Sequence, residues 1–132
     1  MTARILNGIE IRDQIYADLK KEIAELAAIN IRPGLAAVLA GNNPASEMYV
    51  KSKVAACTEL SLFSDMITPA ETITTDELLA LVALLNRRNE IDGILVQLPL
   101  PKQVNAKRIL EAVDPAKDVD GFHPVNVGRL VA

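Results

Sequence analysis

Apolar residues recur at steps of three and four between residues 8 and 30: Ile11, Ile15, Leu19, Ile23 and Leu26, with Lys20, Lys21, Glu22 and Glu25 between them. That spacing predicts a helix with one apolar stripe on a solvated surface. Pro33-Gly34 ends the pattern, and Leu35 to Ala40 is a short continuous apolar run closed by Gly41. A run of that length between turn residues reads as a buried strand. Asn43-Pro44 supplies an N-cap and a first helical residue for a helix reaching about Leu60, and a second strand is expected over Leu62 to Ile67. Thr74 and Glu77 form a Thr-x-x-Glu capping box. The helix it opens carries Leu78, Leu81, Val82 and Leu85, with Leu79 and Leu84 widening its apolar face.

Ile91 to Val96 is a further buried run, and Leu98-Pro99-Leu100-Pro101 stops it, because proline cannot donate to a ladder. A short helix is expected from about Asn105 to Val113. A turn-rich stretch follows from Asp114 to Gly121, and Val125 to Ala132 has the pattern of a helix start. Strands alternating with helices imply βαβ units. The fold class is therefore α/β, with a mostly parallel sheet flanked by helices on both faces in a single domain. Ligands of such sheets bind beyond the carboxyl ends of the strands.

Composition narrows the function. The chain has 132 residues, half of them apolar, with two Tyr, two Phe and no Trp, so its core must be aliphatic. A formal charge of −3 argues against nucleic acid as a partner, since phosphate binding needs a basic surface. No apolar run approaches the roughly 20 residues that span a bilayer, and Met1 to Asn7 lacks a signal-peptide core. A single cysteine excludes an internal disulfide and fits a reducing, cytoplasmic compartment. One histidine and one cysteine leave too few soft ligands for a structural zinc site, so no metal is expected.

Three groups fall where the chemistry should lie. Tyr49 and Lys53 are four apart on one face of the second helix, and Lys53 sits at the margin of the apolar face formed by Val50, Val54 and Cys57. A lysine there can lose hydration and act in proton transfer; it can also be a surface lysine with its stem along the apolar edge. Gln97 is the first polar residue after Ile94-Leu95-Val96. Its donor and acceptor could orient a lysine or polarise a carbonyl, or simply terminate a strand. In Asp118-Val119-Asp120-Gly121 a carboxylate could brace the turn or accept from a ring with adjacent N–H donors. His123 reads as a loop histidine with general acid as the alternative, and Cys57 as a packed thiol. Neither G-x-G-x-x-G nor G-x-x-x-x-G-K-[ST] occurs.

Three blocks together resemble the methylenetetrahydrofolate dehydrogenase/cyclohydrolase family, over essentially the whole chain. They are Gly41-Asn42-Asn43-Pro44-Ala45-Ser46 with Tyr49-Val50, Lys53 and Ala56-Cys57; Asp92 to Pro101, reading DGILVQLPLP; and Pro115 to Gly121 with Asn126 and Gly128-Arg129-Leu130. The resemblance implies oxidation of methylene-tetrahydrofolate by NADP (NAD in some members), then hydrolysis of the methenyl cation to formyl-tetrahydrofolate, in one-carbon metabolism that serves purine biosynthesis. Carried over by position, it implies that Lys53 is the acid/base group and that Gln97 holds and tunes it, within hydrogen-bond or one-water reach. Asp120 would bind the pterin's donor edge and Tyr49 would stack on its flat part, with Leu98, Pro99 and Leu100 at the rim of the folate site. It further implies a folate-binding catalytic domain over residues 1–122, with 123–132 beginning the connection to a Rossmann-type NADP-binding domain that these residues do not include. The intact enzyme would be a homodimer, with tetrahydrofolate derivatives as ligands and neither nucleic acid nor membrane as a partner. Where the family often has glycine after the substrate helix, this chain has Ser61, a poorer left-handed cap, which leaves room for a different local ending.

Overall fold

The computed structural model describes residues 7–132. Its elements are α1 (Gly8–Ala28), β1 (Gly34–Val38), α2 (Pro44–Glu59), β2 (Phe63–Ile67), α3 (Thr75–Arg87), β3 (Gly93–Val96), α4 (Ala106–Ala112) and α5 (Pro124–Val131). The strands form a parallel sheet in the order β2-β1-β3, in which Ala36 stands beside Asp65 on one side and Ile94 on the other. A bridge between Ile94 and Asp118 extends the β3 edge, and the Ile94 amide donates to the Lys117 carbonyl at 2.7 Å. Gly93 permits that approach: a β-carbon on it would lie 2.6 Å from Val119 Cγ1.

Side chains alternate across a strand, so β1 and β3 each feed two cores. Ala36, Val38, Ile94 and Val96 face Leu78, Val82 and Leu85 of α3 and Ile109 of α4, with Ile91, Val104 and Val113 closing the cluster. Burying each of the larger of these side chains contributes about 1.5–3 kcal/mol. On the opposite face Ala37, Leu39 and Leu95 meet Val50 of α2, with Leu35 and Val54 half-buried beside them. Helices therefore cover both faces, as the alternation of elements implied, but one cover is much thicker than the other.

The helix starts follow the caps read from sequence. Asn43 Oδ1 accepts from the amides of Ala45 (3.0 Å) and Ser46 (3.1 Å). Thr74 Oγ1 accepts from the Glu77 amide at 3.3 Å while Glu77 Oε2 accepts from the Thr74 amide at 2.8 Å.

The α1 stripe is as solvated as expected, whereas the apolar face of α3 needs one correction. The stripe of α1 has no buried member: Leu19, Ile23 and Leu26 are half-buried, while Ile11 and Ile15 are exposed. Periodicity marks which residues share a face, and here the described residues supply that face with little to pack on. Leu84 does not widen the buried face of α3. It lies about 120° around the helix from Leu78 and is 58% exposed.

The ending of α2 is left-handed even without glycine. Ser61 takes φ 61°, its amide donates to the Thr58 carbonyl at 3.1 Å, and the Leu62 amide reaches the Cys57 carbonyl at 2.8 Å. This is a Schellman ending built on serine. α1 ends the same way, with Asn30 at φ 59° and the Ile31 amide on the Leu26 carbonyl at 2.9 Å. Arg32 then joins the two endings by donating to the carbonyls of Ser61 and Leu62, each at 3.1 Å.

A left-handed serine carries a steric penalty that glycine avoids. Ser61→Gly is therefore expected to stabilise the chain by about 0.5–1 kcal/mol, seen as a higher urea midpoint with an unchanged m-value. A lower midpoint would mean that the serine side chain compensates for its own strain.

Candidate functional site

The site is built from the end of one helix turn, one strand end and one loop. In α2, Val50 and Cys57 point into the sheet and are buried. Lys53 falls between them at the edge of that face and is half-buried. Its side chain lines an apolar groove of about 480 Å³ with Leu35, Ala56, Cys57, Leu95 and Val119. One turn earlier, Tyr49 is 66% exposed, so its ring presents an open face. Burial pushes the Cys57 thiol up, which holds it in the unreactive protonated form. It is a packing residue.

Gln97 continues β3 by one residue, and its amide donates to the Val38 carbonyl at 2.9 Å. Its side-chain Nε2 donates to the Leu98 carbonyl at 2.9 Å, while its Oε1 is buried with no hydrogen-bond partner among the described residues. No direct hydrogen bond joins Gln97 to Lys53 among the described residues, so the expected pairing does not take that form. A buried acceptor without a donor costs about 1–3 kcal/mol. The oxygen is thus free to accept from a water, a side chain or a ligand.

The chain then turns at a cis Leu98–Pro99 peptide. Leu98 is half-buried, Pro99 is exposed, and Leu100 packs against the larger core. Pro99 and Leu100 line a second hollow of about 500 Å³, walled by the Gly41–Asn43 turn, Glu71 and Lys102. Gln103 fixes the walls by donating to the carbonyls of Glu71 (2.6 Å) and Ile73 (2.9 Å). This hollow lies beyond the carboxyl ends of β1 and β3, where the fold class places ligands. Lys53 thus lines one concavity, and the rim residues Pro99 and Leu100 line another.

The two carboxylates of the Asp118–Gly121 turn separate cleanly. Asp118 braces: its Oδ1 accepts from the Gly121 amide at 3.0 Å, and its Oδ2 accepts from the His123 amide and from Asn126 Nδ2, both at 2.9 Å. Burial alone would raise its pKa, but the hydrogen bonds from Asn126 and the backbone amides outweigh it and hold the carboxyl below its ordinary range. Asp120 behaves oppositely. Although the residue is exposed by area, its carboxyl is crowded enough that burial pushes its pKa up, with the Lys53 ammonium pulling it down and Asp118 pushing it up again. The charge of Lys53 therefore acts on Asp120. His123 is a capping residue, with Nδ1 accepting from the Val125 amide at 3.2 Å at the start of α5.

Sequence reasoning left the bracing and ligand-binding readings of this turn open, and it did not single out Asp92. The Asp92 carboxylate accepts from the Gly34 amide at 2.9 Å and ties the entry of β3 to β1. An acidic residue just before a strand glycine was the available signal. Among the described residues no group of three or more His, Cys, Asp or Glu side chains is placed to hold a metal ion. Among the described residues no helix is long and apolar enough to cross a membrane.

The raised Asp120 pKa has a definite sign in stability. The folded state penalises the charged carboxylate, so wild type loses stability as pH rises through that pKa, and no penalty exists below the unfolded value near pH 3.9. Asp120→Asn mimics the neutral form. It should melt higher than wild type at pH 7, with the gap closing below about pH 4. A variant that melts lower than wild type at pH 7 would place Asp120 in a structural role.

Comparison with known proteins identifies the family. Residues 6–120 match the family model described as tetrahydrofolate dehydrogenase/cyclohydrolase, catalytic domain. The chain is 64% identical over 129 residues to the bifunctional protein FolD of Solibacter usitatus, which covers 98% of this chain and 42% of that protein. Among solved structures, the bifunctional FolD of Campylobacter jejuni superposes with a TM-score of 0.90 at 46% identity, over 92% of this chain and 43% of that one. The Trypanosoma brucei enzyme, complexed with NADP and an inhibitor, gives 0.94 at 31% identity, over 98% and 45%. The chain thus spans less than half the length of the relatives it matches. With the family model covering most of its length, and a close superposition on solved members, this chain belongs to the tetrahydrofolate dehydrogenase/cyclohydrolase family, as its catalytic domain.

Proposed function

We propose that the chain is the folate-binding half of an enzyme that oxidises 5,10-methylenetetrahydrofolate with NADP and hydrolyses the methenyl product to 10-formyltetrahydrofolate. One observation carries the reading: Lys53 lines an apolar groove together with Val119, the residue next to Asp120, in a domain whose Gln97 has a buried acceptor without a protein partner among the described residues. Its relatives are bifunctional FolD proteins, and the Trypanosoma brucei structure holds NADP. Residues 1–122 form the folate-binding domain in this reading, and 123–132 begin the connection to an NADP-binding domain. The intact enzyme is a cytoplasmic homodimer, and the exposed apolar residues of α1 and α5, Ile11, Ile15, Leu130 and Val131 among them, are available to such an association.

The described residues do not fit a dinucleotide. The turn after β1 leads into α2, but Asn43 already occupies the amides of Ala45 and Ser46 that would meet a phosphate, and no glycine-rich fingerprint is present. The hydride acceptor is therefore held by residues outside these 132.

The hydrolytic step falls to this chain's own side chains. Water adds to the bridging carbon of the methenyl cation. The added oxygen gives up both protons as it becomes the formyl oxygen, and the bond from carbon to the ring nitrogen breaks. One proton passes to that nitrogen and the other to solvent. A single group that takes and returns a proton serves both events, and Lys53 is that group. Gln97 Oε1 gains its missing donor from Lys53 or the substrate. Asp120 accepts from the adjacent N–H groups of the pterin, and Tyr49 stacks on its flat face. Leu98, Pro99 and Leu100 bound the far side of the substrate.

Two assays test this. Lys53→Met should leave a folded chain while cutting hydrolysis of methenyl-tetrahydrofolate by about 100- to 10,000-fold in the intact enzyme. Near-normal hydrolysis by a folded variant would reduce Lys53 to a surface charge. The 132-residue chain alone should form no NADPH from methylene-tetrahydrofolate and NADP. Absorbance growth in that mixture would overturn the assignment of the nucleotide site to other residues.

A further inference from the structure

We propose that Asp118 is a positioning residue that fixes the direction of the Asp120 carboxylate, by closing the turn that carries it; the functional consequence rests on the folate reading above. Asp120 itself accepts no hydrogen bond from the described residues, so its direction is set only by the backbone on either side. Upstream, that backbone is registered to the sheet through the Ile94–Asp118 bridge and the Ile94 amide on the Lys117 carbonyl at 2.7 Å. Val119, packed against Gly93, lines the same groove as Lys53. Downstream, nothing in the sheet holds residues 120–123. What holds them is the Asp118 carboxylate, which accepts from Gly121 (3.0 Å) and His123 (2.9 Å) and so closes a loop around Asp120.

The loop closes only because Gly121 takes φ +70°, a conformation glycine adopts without strain. Asn126 secures the far side, donating from one Nδ2 to Asp118 Oδ2 and to the Pro115 carbonyl, both at 2.9 Å. The side chain of Asp118 therefore transfers the register of β3 to a carboxylate that has no other anchor. A residue that merely stabilised the turn would affect melting but not the relation between Asp120 and Lys53. The two roles are separable by experiment.

The readout is a double-mutant cycle on the Asp120 carboxyl titration, followed by carbon-detected NMR of the 132-residue chain. In wild type, Lys53→Met should raise the Asp120 midpoint, because the ammonium favours the carboxylate. In an Asp118→Asn background the same substitution should move the midpoint by less than half as much. Asn126→Ala removes fewer bonds, and it should weaken the coupling in the same direction even where Asp118→Asn fails to fold. Equal movement in wild type and in Asn126→Ala would overturn the proposal. In the intact enzyme, Asp118→Asn should raise KM for methenyl-tetrahydrofolate by about tenfold, the worth of one charge-assisted contact, with kcat much less affected; a change in kcat alone would also overturn it. An enzyme that binds no folate would sink the functional reading, while the titration cycle would still decide whether Asp118 positions Asp120.

Discussion

Strand β1 is hydrogen-bonded along both edges and covered on both faces, and the other elements take their places from it. Parallel pairing with β2 and β3 requires that each strand return through a helix. It also brings the carboxyl ends of the strands to one side of the domain. The Gly41–Asn43 turn, the Pro69–Glu71 segment and the Gln97–Pro101 turn meet there because β1, β2 and β3 end there. The hollow that they wall follows from strand direction before any particular side chain is considered.

The two faces of that sheet do different work. The α3–α4 side is a dense aliphatic core with Leu78, Leu85 and Ile109 almost inaccessible, and it holds the strands rigidly. The α2 side is thinner: Val50 packs against Ala37, Leu39 and Leu95, and Ser46 and Cys57 are the helix's other buried residues. A helix held by so narrow a seam leaves its margin open, and Lys53 occupies that margin. Its stem lines the apolar groove while its charge acts on Asp120. A thicker cover would have buried the lysine, and none would have left it fully hydrated.

Electrostatics divides labour within a turn of four residues. Asp118 meets backbone amides and Asn126, which favour its charged form and make it an anchor. Asp120, two residues on, meets protein bulk and the distant pull of Lys53, which leaves its carboxylate unsatisfied. The same side-chain chemistry is structural in one position and available to a ligand in the other, and the difference is the number of N–H donors each can reach.

The order of helices and strands, their caps and the α/β class were legible in the sequence, because each depends on neighbours a few residues apart. Asn43 and Thr74 cap the helices their spacing announced, and Val50 and Cys57 take the inward face of α2. The blocks around Lys53, Gln97 and Asp120 also identified the family. Sequence could not decide whether the face of α1 finds a partner, that Leu84 turns to solvent, or that Ser61 accepts a left-handed turn. Nor could it decide which aspartate braces the turn and which is left without donors, or that one oxygen of Gln97 has no partner among the described residues. Those outcomes depend on contacts between residues far apart in the chain, such as Val119 on Gly93 and Arg32 on Ser61. Local periodicity carries no information about such distances, so only the packed structure fixes them.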